Sequence, residues 1–154
     1  MAEGDAEMSL ELDFYAMMVQ PMRDELTQIG FTELRTADAV DDVMKEKEGT
    51  TLVVVNSVCG CAGGIARPGV AIALENEKRP DRLMTVFAGQ DKDATARMRE
   101  FFKDLPPSSP SMFLFKAGEL VGALHRHDIE GTSAEHVASR LVAMFNEYCS
   151  AKTN

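Results

Sequence analysis

The sequence predicts an α/β fold in which a central mixed sheet is flanked by helices, with an extra helical segment at the N-terminus. Strand-like and helical patterns alternate along most of the chain, and two strands near the C-terminus follow each other as a hairpin. A chain of 154 residues is close to the commonest domain size and can bury one core without a metal or disulfides. We therefore predict a flexible arm at residues 1–11 and a single domain at residues 12–154.

The first predicted elements are a helix, a short strand and a second helix. Helical spacing runs over residues 12–29, and Gly30 can end that helix. Residues 31–34 fit a short strand. Thr36 can cap a following helix that continues through Lys47.

The middle of the chain contains the most apolar strand pattern. Residues 51–55 read Thr-Leu-Val-Val-Val, a β-branched run typical of a central strand buried on both faces. A loop of small residues at 56–64 leads into a helix that ends near residue 74. A second buried strand is predicted at residues 83–87. This order places the small-residue loop at the carboxyl edge of the sheet.

The C-terminal part predicts a helix, a hairpin and a closing helix. The helix covers residues 89–104 with its opening turn, and strands at residues 112–115 and 120–125 are joined by a tight turn. Thr132 and Glu135 have the spacing of a capping box that opens the last helix. The predicted sheet therefore has four or five strands, with an antiparallel edge.

Charge and cysteine content exclude several function classes. The formal net charge is −9 and no basic stripe is present, which argues against nucleic-acid binding. No apolar run is long enough for a membrane span, and an acidic N-terminus argues against a secretion signal. Three cysteines do not make a secreted disulfide framework. We therefore expect a cytoplasmic protein.

Two of the cysteines, in Cys59-Gly60-Cys61, form the candidate catalytic site. They lie where the central strand gives way to a helix, and free N–H groups and a partial positive charge at a helix start favour a thiolate over a thiol. The thiolate is the nucleophilic form. Gly60 makes a disulfide between the two cysteines possible only as a tight, readily reduced bond. Asn56 and Ser57 are candidate hydrogen-bonding partners beside the cysteines.

Three other interpretations remain open from the residues alone. Cys59 and Cys61 with His125 and His127 form a conceivable metal-ligand set, if both histidines face one side of the late strand. The two cysteines are otherwise small core residues, or the chain is a non-catalytic interaction domain. We predict that Cys149, in the last helix, is a buried or spare thiol.

Two segments resemble the thioredoxin superfamily. Residues 51–74 resemble its strand, redox loop and helix, with the usual gap between cysteines shortened to one residue. Residues 110–121 resemble the segment that begins at the superfamily's cis-proline and runs through its hairpin. The resemblance implies a thioredoxin-like fold, in which the Ser109–Pro110 bond is cis and faces the cysteines.

A longer resemblance is to the bacilliredoxins, bacterial proteins with a Cys-Gly-Cys site. Residues 56–68, Asn-Ser-Val-Cys-Gly-Cys-Ala-Gly-Gly-Ile-Ala-Arg-Pro, resemble the family signature. Residues 87–91, 107–111 and 125–131 resemble its other blocks in the same order. This implies a thiol-disulfide oxidoreductase or isomerase that reduces mixed disulfides between client proteins and bacillithiol. Bacillithiol would then be a co-substrate rather than a bound cofactor.

The resemblance also implies a role for individual residues. Cys59 is the attacking thiol, and the adduct is released either by Cys61, which closes the intramolecular disulfide, or by a second thiol system. Pro110 shields the sulfurs and binds the client backbone. The expected partners are bacillithiolated or disulfide-containing proteins and a low-molecular-weight thiol.

Overall fold

A computed structural model describes residues 2–152, and within them the side chains of residues 10, 11 and 13–152. The five strands in this part of the chain are β1 (Thr32–Glu33), β2 (Thr50–Asn56), β3 (Arg82–Phe87), β4 (Ser111–Lys116) and β5 (Glu119–Leu124). Its six α-helices are α1 (Ala2–Thr27), α2 (Ala37–Met44), α3 (Arg67–Ala73), α4 (Lys92–Arg99), α5 (Arg126–Ile129) and α6 (Ala134–Tyr148).

The strands form one mixed sheet with β2 in the middle. Their order is β1-β3-β2-β4-β5. Strand β2 pairs in parallel with β3 and antiparallel with β4, and all of its residues are buried. The predicted fold class and the central position of residues 51–55 are therefore confirmed.

Strand β2 contributes to two cores, one on each face of the sheet. Because side chains alternate along a strand, Leu52 and Val54 point to one face and Val53 and Val55 to the other. The first pair packs with residues of α3 and α6, among them Val70, Leu141 and Phe145. The second pair packs with residues of α2 and α4, among them Val40 and Met98. Helices on both faces explain why the run is continuously apolar.

The helix after β2 begins earlier than predicted. Helical structure starts at Gly60 rather than after Gly64, passes through a π-helical segment at Ala62–Ala66 and continues as α3. The glycines favoured a loop on propensity alone, but packing overrides propensity. Gly69 shows this packing, since a Cβ at that position would lie 2.8 Å from Val137 Cγ1 on α6. The cysteine pair is thus held at the start of a buried helix.

The N-terminal helix also differs from its predicted bounds. It begins at Ala2 instead of residue 12 and includes Pro21. Residues 2–11 are therefore helical, and the division of the chain into a flexible arm and a domain stays a prediction. In the described part of the chain, no helix is both long enough and apolar enough to cross a membrane.

The hairpin turn and the cap of the second helix are confirmed, although that helix ends at Met44 rather than Lys47. Ala117 and Gly118, between β4 and β5, have φ angles of 53° and 81°, the left-handed pair that a tight two-residue hairpin turn requires. Thr36 caps α2, and its side chain accepts a hydrogen bond from Ala39 N at 3.1 Å.

Two predictions near the C-terminus are wrong. The capping residue of α6 is Ser133, which accepts from His136 N at 3.1 Å, rather than Thr132. Strand β5 ends at Leu124, so the histidines do not share a strand: His125 precedes α5 and His127 lies within it. The Asp128 carboxylate accepts from His125 N at 2.9 Å, and this cap turns the chain into a helix.

We predict that Gly69→Ala destabilises the protein by about 1–3 kcal/mol, because the added methyl group meets Val137 and the Ala134 carbonyl at or inside 3.0 Å. Urea denaturation measures the change. Gly64→Ala is the matched control, since a Cβ there meets nothing within 4 Å. Equal stabilities of the two variants would contradict the close approach of α3 and α6.

Candidate active site

The cysteine pair lies at the junction between β2 and its helix. Cys59 directly precedes the first helical residue, Gly60, and Cys61 follows within the first turn. Both thiols are free and partly exposed. A Cβ at Gly60 would meet nothing within 4 Å. The sulfurs are therefore accessible to a disulfide of another molecule.

The residues before the cysteines are held by a buried arginine. The guanidinium of Arg67 is only 5% exposed. Its Nη1 donates to Asn56 Oδ1 and to the Ser57 carbonyl, both at 2.8 Å. Asn56 Oδ1 also accepts from Ser57 N at 2.9 Å. These bonds fix the end of β2, where the chain turns toward Cys59.

Helix α1 completes this network from the other side. Arg67 Nε donates to the Glu25 carboxylate at 3.1 Å, and Asn56 Nδ2 donates to the Met22 carbonyl at 3.2 Å. The charge of the buried arginine is thereby paired, as a buried cation requires. The N-terminal helical segment is therefore part of the support of the cysteine loop.

The surroundings of Cys59 favour its thiolate. Burial is the largest single influence and raises the pKa. It is outweighed by the Ser57 hydroxyl, by the backbone N–H of Ala62, by the charge of Arg126 and by the backbone N–H of Cys61, so that the pKa of Cys59 lies below its ordinary value. The sequence prediction of a lowered pKa is confirmed. The helix start contributes two backbone N–H groups, and the Ser57 hydroxyl has a larger effect than either of them alone.

Arg126 is hydrogen-bonded to the proline loop, and its charge acts on Cys59. Its backbone N–H donates to Ser108 Oγ and its Nη1 donates to the Ser109 carbonyl, both at 3.2 Å. The Ser109–Pro110 bond is cis, as the thioredoxin resemblance implies. A hydrogen bond to Glu130, followed by the charge of Cys59, raises the pKa of Arg126. The positive charge of this guanidinium stabilises the Cys59 thiolate.

Sequence reasoning identified neither arginine as a site residue. Arg67 had a signal, because it lies on the helical stripe that also buries Ala66, Val70 and Ala73. A cation on a buried stripe indicates a paired structural charge. Arg126 lies in residues 125–131, a block of the family resemblance, but nothing in that block indicated that its charge acts on Cys59.

Cys149 is separate from the other two thiols. It caps the end of α6, is 7% exposed and belongs to the core. Burial raises the pKa of its thiol. The prediction of a buried thiol is confirmed.

The histidines do not join the cysteines in a metal-ligand set. The rings of His125 and His127 stack with centroids 5.3 Å apart, and His125 packs edge-on against Phe113. Among the described residues, no group of three or more His, Cys, Asp or Glu side chains is placed to hold a metal ion.

Comparison with known sequences decides the family. A family model described as disulphide isomerase matches residues 14–149. A bacilliredoxin of Geobacillus kaustophilus is 57% identical over 138 residues, which cover 89% of this chain and 95% of that protein. The chain belongs to the bacilliredoxin family. A second relative, a bacilliredoxin of Halalkalibacterium halodurans, is 54% identical over 89% of this chain and 95% of its own length.

Solved structures identify the fold of this bacilliredoxin-family chain. Mitochondrial thioredoxin 3 of Saccharomyces cerevisiae in its oxidized form has a TM-score of 0.55 at 14% identity, covering 80% of this chain and 98% of its own. The oxidised thioredoxin of Plasmodium falciparum has a TM-score of 0.54 at 17% identity, covering 79% and 100%. The fold is thioredoxin-like. Family and fold together make the protein a thiol-disulfide oxidoreductase.

We predict that Ser57→Ala and Arg126→Gln both raise the pKa of Cys59, with the larger rise in Ser57→Ala because its hydrogen bond has the larger effect. The rate of Cys59 alkylation by iodoacetamide, located by peptide mass spectrometry, would then reach its midpoint at a higher pH. Arg126→Lys is the control that retains a cation. A midpoint unchanged in both variants would contradict this account of the thiolate.

We predict that Arg67→Met lowers the free energy of unfolding by about 1–3 kcal/mol, because the Asn56 and Ser57 oxygens lose a buried donor. Urea denaturation measures the loss. The exposed Arg140→Met on α6 is the matched control, with an expected change within about 0.5 kcal/mol. Similar losses in both variants would refute a special role for the buried guanidinium.

Proposed function

We propose that this member of the bacilliredoxin family reduces mixed disulfides between client proteins and bacillithiol, with Cys59 as the attacking thiol and Cys61 as the resolving thiol. The observation that carries the proposal is the state of Cys59: a partly exposed thiol with a lowered pKa at the end of the central strand. Thiol exchange needs a sulfur that is both ionised and accessible.

The reaction proceeds by two exchanges at sulfur. The Cys59 thiolate bonds to the adduct sulfur, the client disulfide breaks, and its electron pair leaves on the client sulfur. The Cys61 thiolate then attacks Cys59, which forms the Cys59–Cys61 disulfide and releases the adduct as a thiolate. Two electrons from an external thiol return the pair to its reduced form. The same residues serve isomerisation when the client itself holds both sulfurs.

The neighbouring residues position this chemistry. Ser57 donates its hydroxyl to the Cys59 thiolate, and Asn56 orients Ser57 N. Gly60 places no side chain between the two cysteines, and the space where its Cβ would lie is open. Pro110 covers the sulfurs and presents its backbone to the client.

The choice of thiol and compartment is part of the same proposal. The names of the relatives, bacilliredoxins, favour bacillithiol as the co-substrate. Two accessible free thiols and one buried thiol suit a reducing compartment, and we place the activity in the cytoplasm. Client proteins bearing bacillithiol or another disulfide are its partners.

We predict that Cys61→Ser accumulates a mixed disulfide, whereas Cys59→Ser captures very little. Without Cys61 the adduct on Cys59 has no internal thiol to expel it. Without Cys59 the protein has lost its attacking thiol, and Cys61 alone reacts slowly with the client disulfide. Each variant is incubated with a bacillithiolated peptide, and intact-protein mass spectrometry measures how much mixed disulfide it has formed.

Cys149→Ser is the control for this experiment, and we expect it to behave as the unmodified protein because Cys149 is buried. Equal trapping by the Cys59 and Cys61 variants would overturn the assigned order. A defect found only in the Cys149 variant would place the active site elsewhere.

A further inference from the structure

An open cavity of about 480 Å³ lies beside the proline loop. Its walls are residues 106–108, His125, Arg126, His127 and Glu130. The volume falls within the range of small-molecule sites. Of these residues, only Arg126 acts on the exchanges at sulfur described above, through the effect of its charge on Cys59.

The cavity combines apolar walls with one cation. Pro106 and Pro107 form one side, and the stacked rings of His125 and His127 form another. The Arg126 side chain, 42% exposed, contributes the guanidinium. Such a surface suits a ligand with a compact body and a carboxylate, which a guanidinium binds through paired N–H donors.

The geometry of Arg126 relates this cavity to the cysteines. Its Nη1 bonds to the Ser109 carbonyl, next to Pro110, at 3.2 Å, and its Nε bonds to Glu130 at 2.7 Å. Within the described part of the chain, Nη1 and Nε are the Arg126 guanidinium nitrogens that donate hydrogen bonds. The charge of the same guanidinium acts on Cys59 and Cys61. A ligand on Arg126 therefore lies next to the cis-proline loop, on a guanidinium whose charge acts on both cysteines.

We propose that this cavity binds the carboxylate-bearing part of the low-molecular-weight thiol adduct, with Arg126 as its carboxylate ligand, while Cys59 attacks the adduct sulfur. The inference rests on the proposed function and specifies which substrates it prefers: adducts of anionic small thiols. The bonds made and broken are those of the first exchange in the proposed function. The new bond joins Cys59 to the adduct sulfur, and the client leaves as a thiolate.

Glu130 competes with the ligand in this arrangement. Its carboxylate already holds Arg126 Nε, and its charge repels an incoming anion. Glu130→Gln removes the negative charge and leaves Arg126 in place, so it is expected to increase the preference for an anionic adduct. Variants of Arg126 and Glu130 are thus expected to shift the same preference in opposite directions.

The test uses two probes that differ in a single carboxylate. A neutral cysteine peptide is joined by a disulfide to N-acetylcysteine or to N-acetylcysteine amide. The rate at which the Cys61→Ser protein captures each adduct is measured by intact mass at a pH where Cys59 is fully ionised. Each rate is divided by the rate of the same disulfide with mercaptoethanol, so that intrinsic reactivity cancels.

The expected result is a preference of about tenfold for the acid over the amide, the size of one charge-assisted hydrogen bond. Adding Arg126→Gln reduces the preference to less than about twofold, and adding Glu130→Gln increases it. Arg140→Gln, which removes an exposed arginine from α6, is the matched control for net charge and leaves the preference unchanged.

Three outcomes overturn the inference. Equal normalised capture of acid and amide refutes the cavity as a carboxylate site and leaves the proposed function standing. If Arg140→Gln loses the preference for the acid as Arg126→Gln does, the preference comes from the overall charge of the protein and not from the cavity. Capture of neither probe by a protein that captures the bacillithiolated peptide refutes the inference alone, whereas failure to capture any of the three refutes the proposed function, and this inference falls with it.

Discussion

The buried guanidinium of Arg67 is the contact on which the cysteine loop depends. It joins three parts of the chain: the end of β2 at Asn56 and Ser57, the helix that carries Arg67 itself, and α1 through Glu25. A charge removed from water requires well-placed partners, so these groups hold one another in position. Ser57 is thereby kept where its hydroxyl stabilises the Cys59 thiolate. The reactivity of the partly exposed Cys59 sulfur thus depends on the buried contacts of Arg67.

The cysteine pair is activated by several modest effects rather than by one. Burial alone would disfavour the thiolate, and the Ser57 hydroxyl, two backbone N–H groups and the charge of Arg126 together reverse that tendency. The hydrogen bonds act at short range, whereas the charge of Arg126 is weakened by salt and shared with Glu130. A thiol tuned in this way ionises more readily than an ordinary cysteine without being fully exposed. It remains able to react with a disulfide and to be attacked in turn by Cys61.

The sequence predicts the sheet well because its signals are local. The run over residues 51–55 can be buried on both faces only as a central strand, and the φ angles at Ala117 and Gly118 follow from a short connection between two strands. The prediction was less accurate where two neighbouring residues could each begin a helix or where a strand could end at more than one residue. Ser133 and Thr132 are adjacent cap candidates, and His125 could extend β5 until the Asp128 side chain caps α5 instead. The helix start at Gly60 was missed because the low helix propensity of the glycines favoured a loop there. Arg126 depends on contacts across the fold and was missed.

The central claim is that Cys59 is the thiol that reacts first, and competition among the three cysteines of the unmodified protein tests it most directly. The fully reduced protein is treated near neutral pH with less iodoacetamide than one equivalent, and peptide mass spectrometry locates the label. The account predicts that most of the label lies on Cys59, with little on Cys61 and least on the buried Cys149. A label found mainly on Cys61 or Cys149 would contradict it.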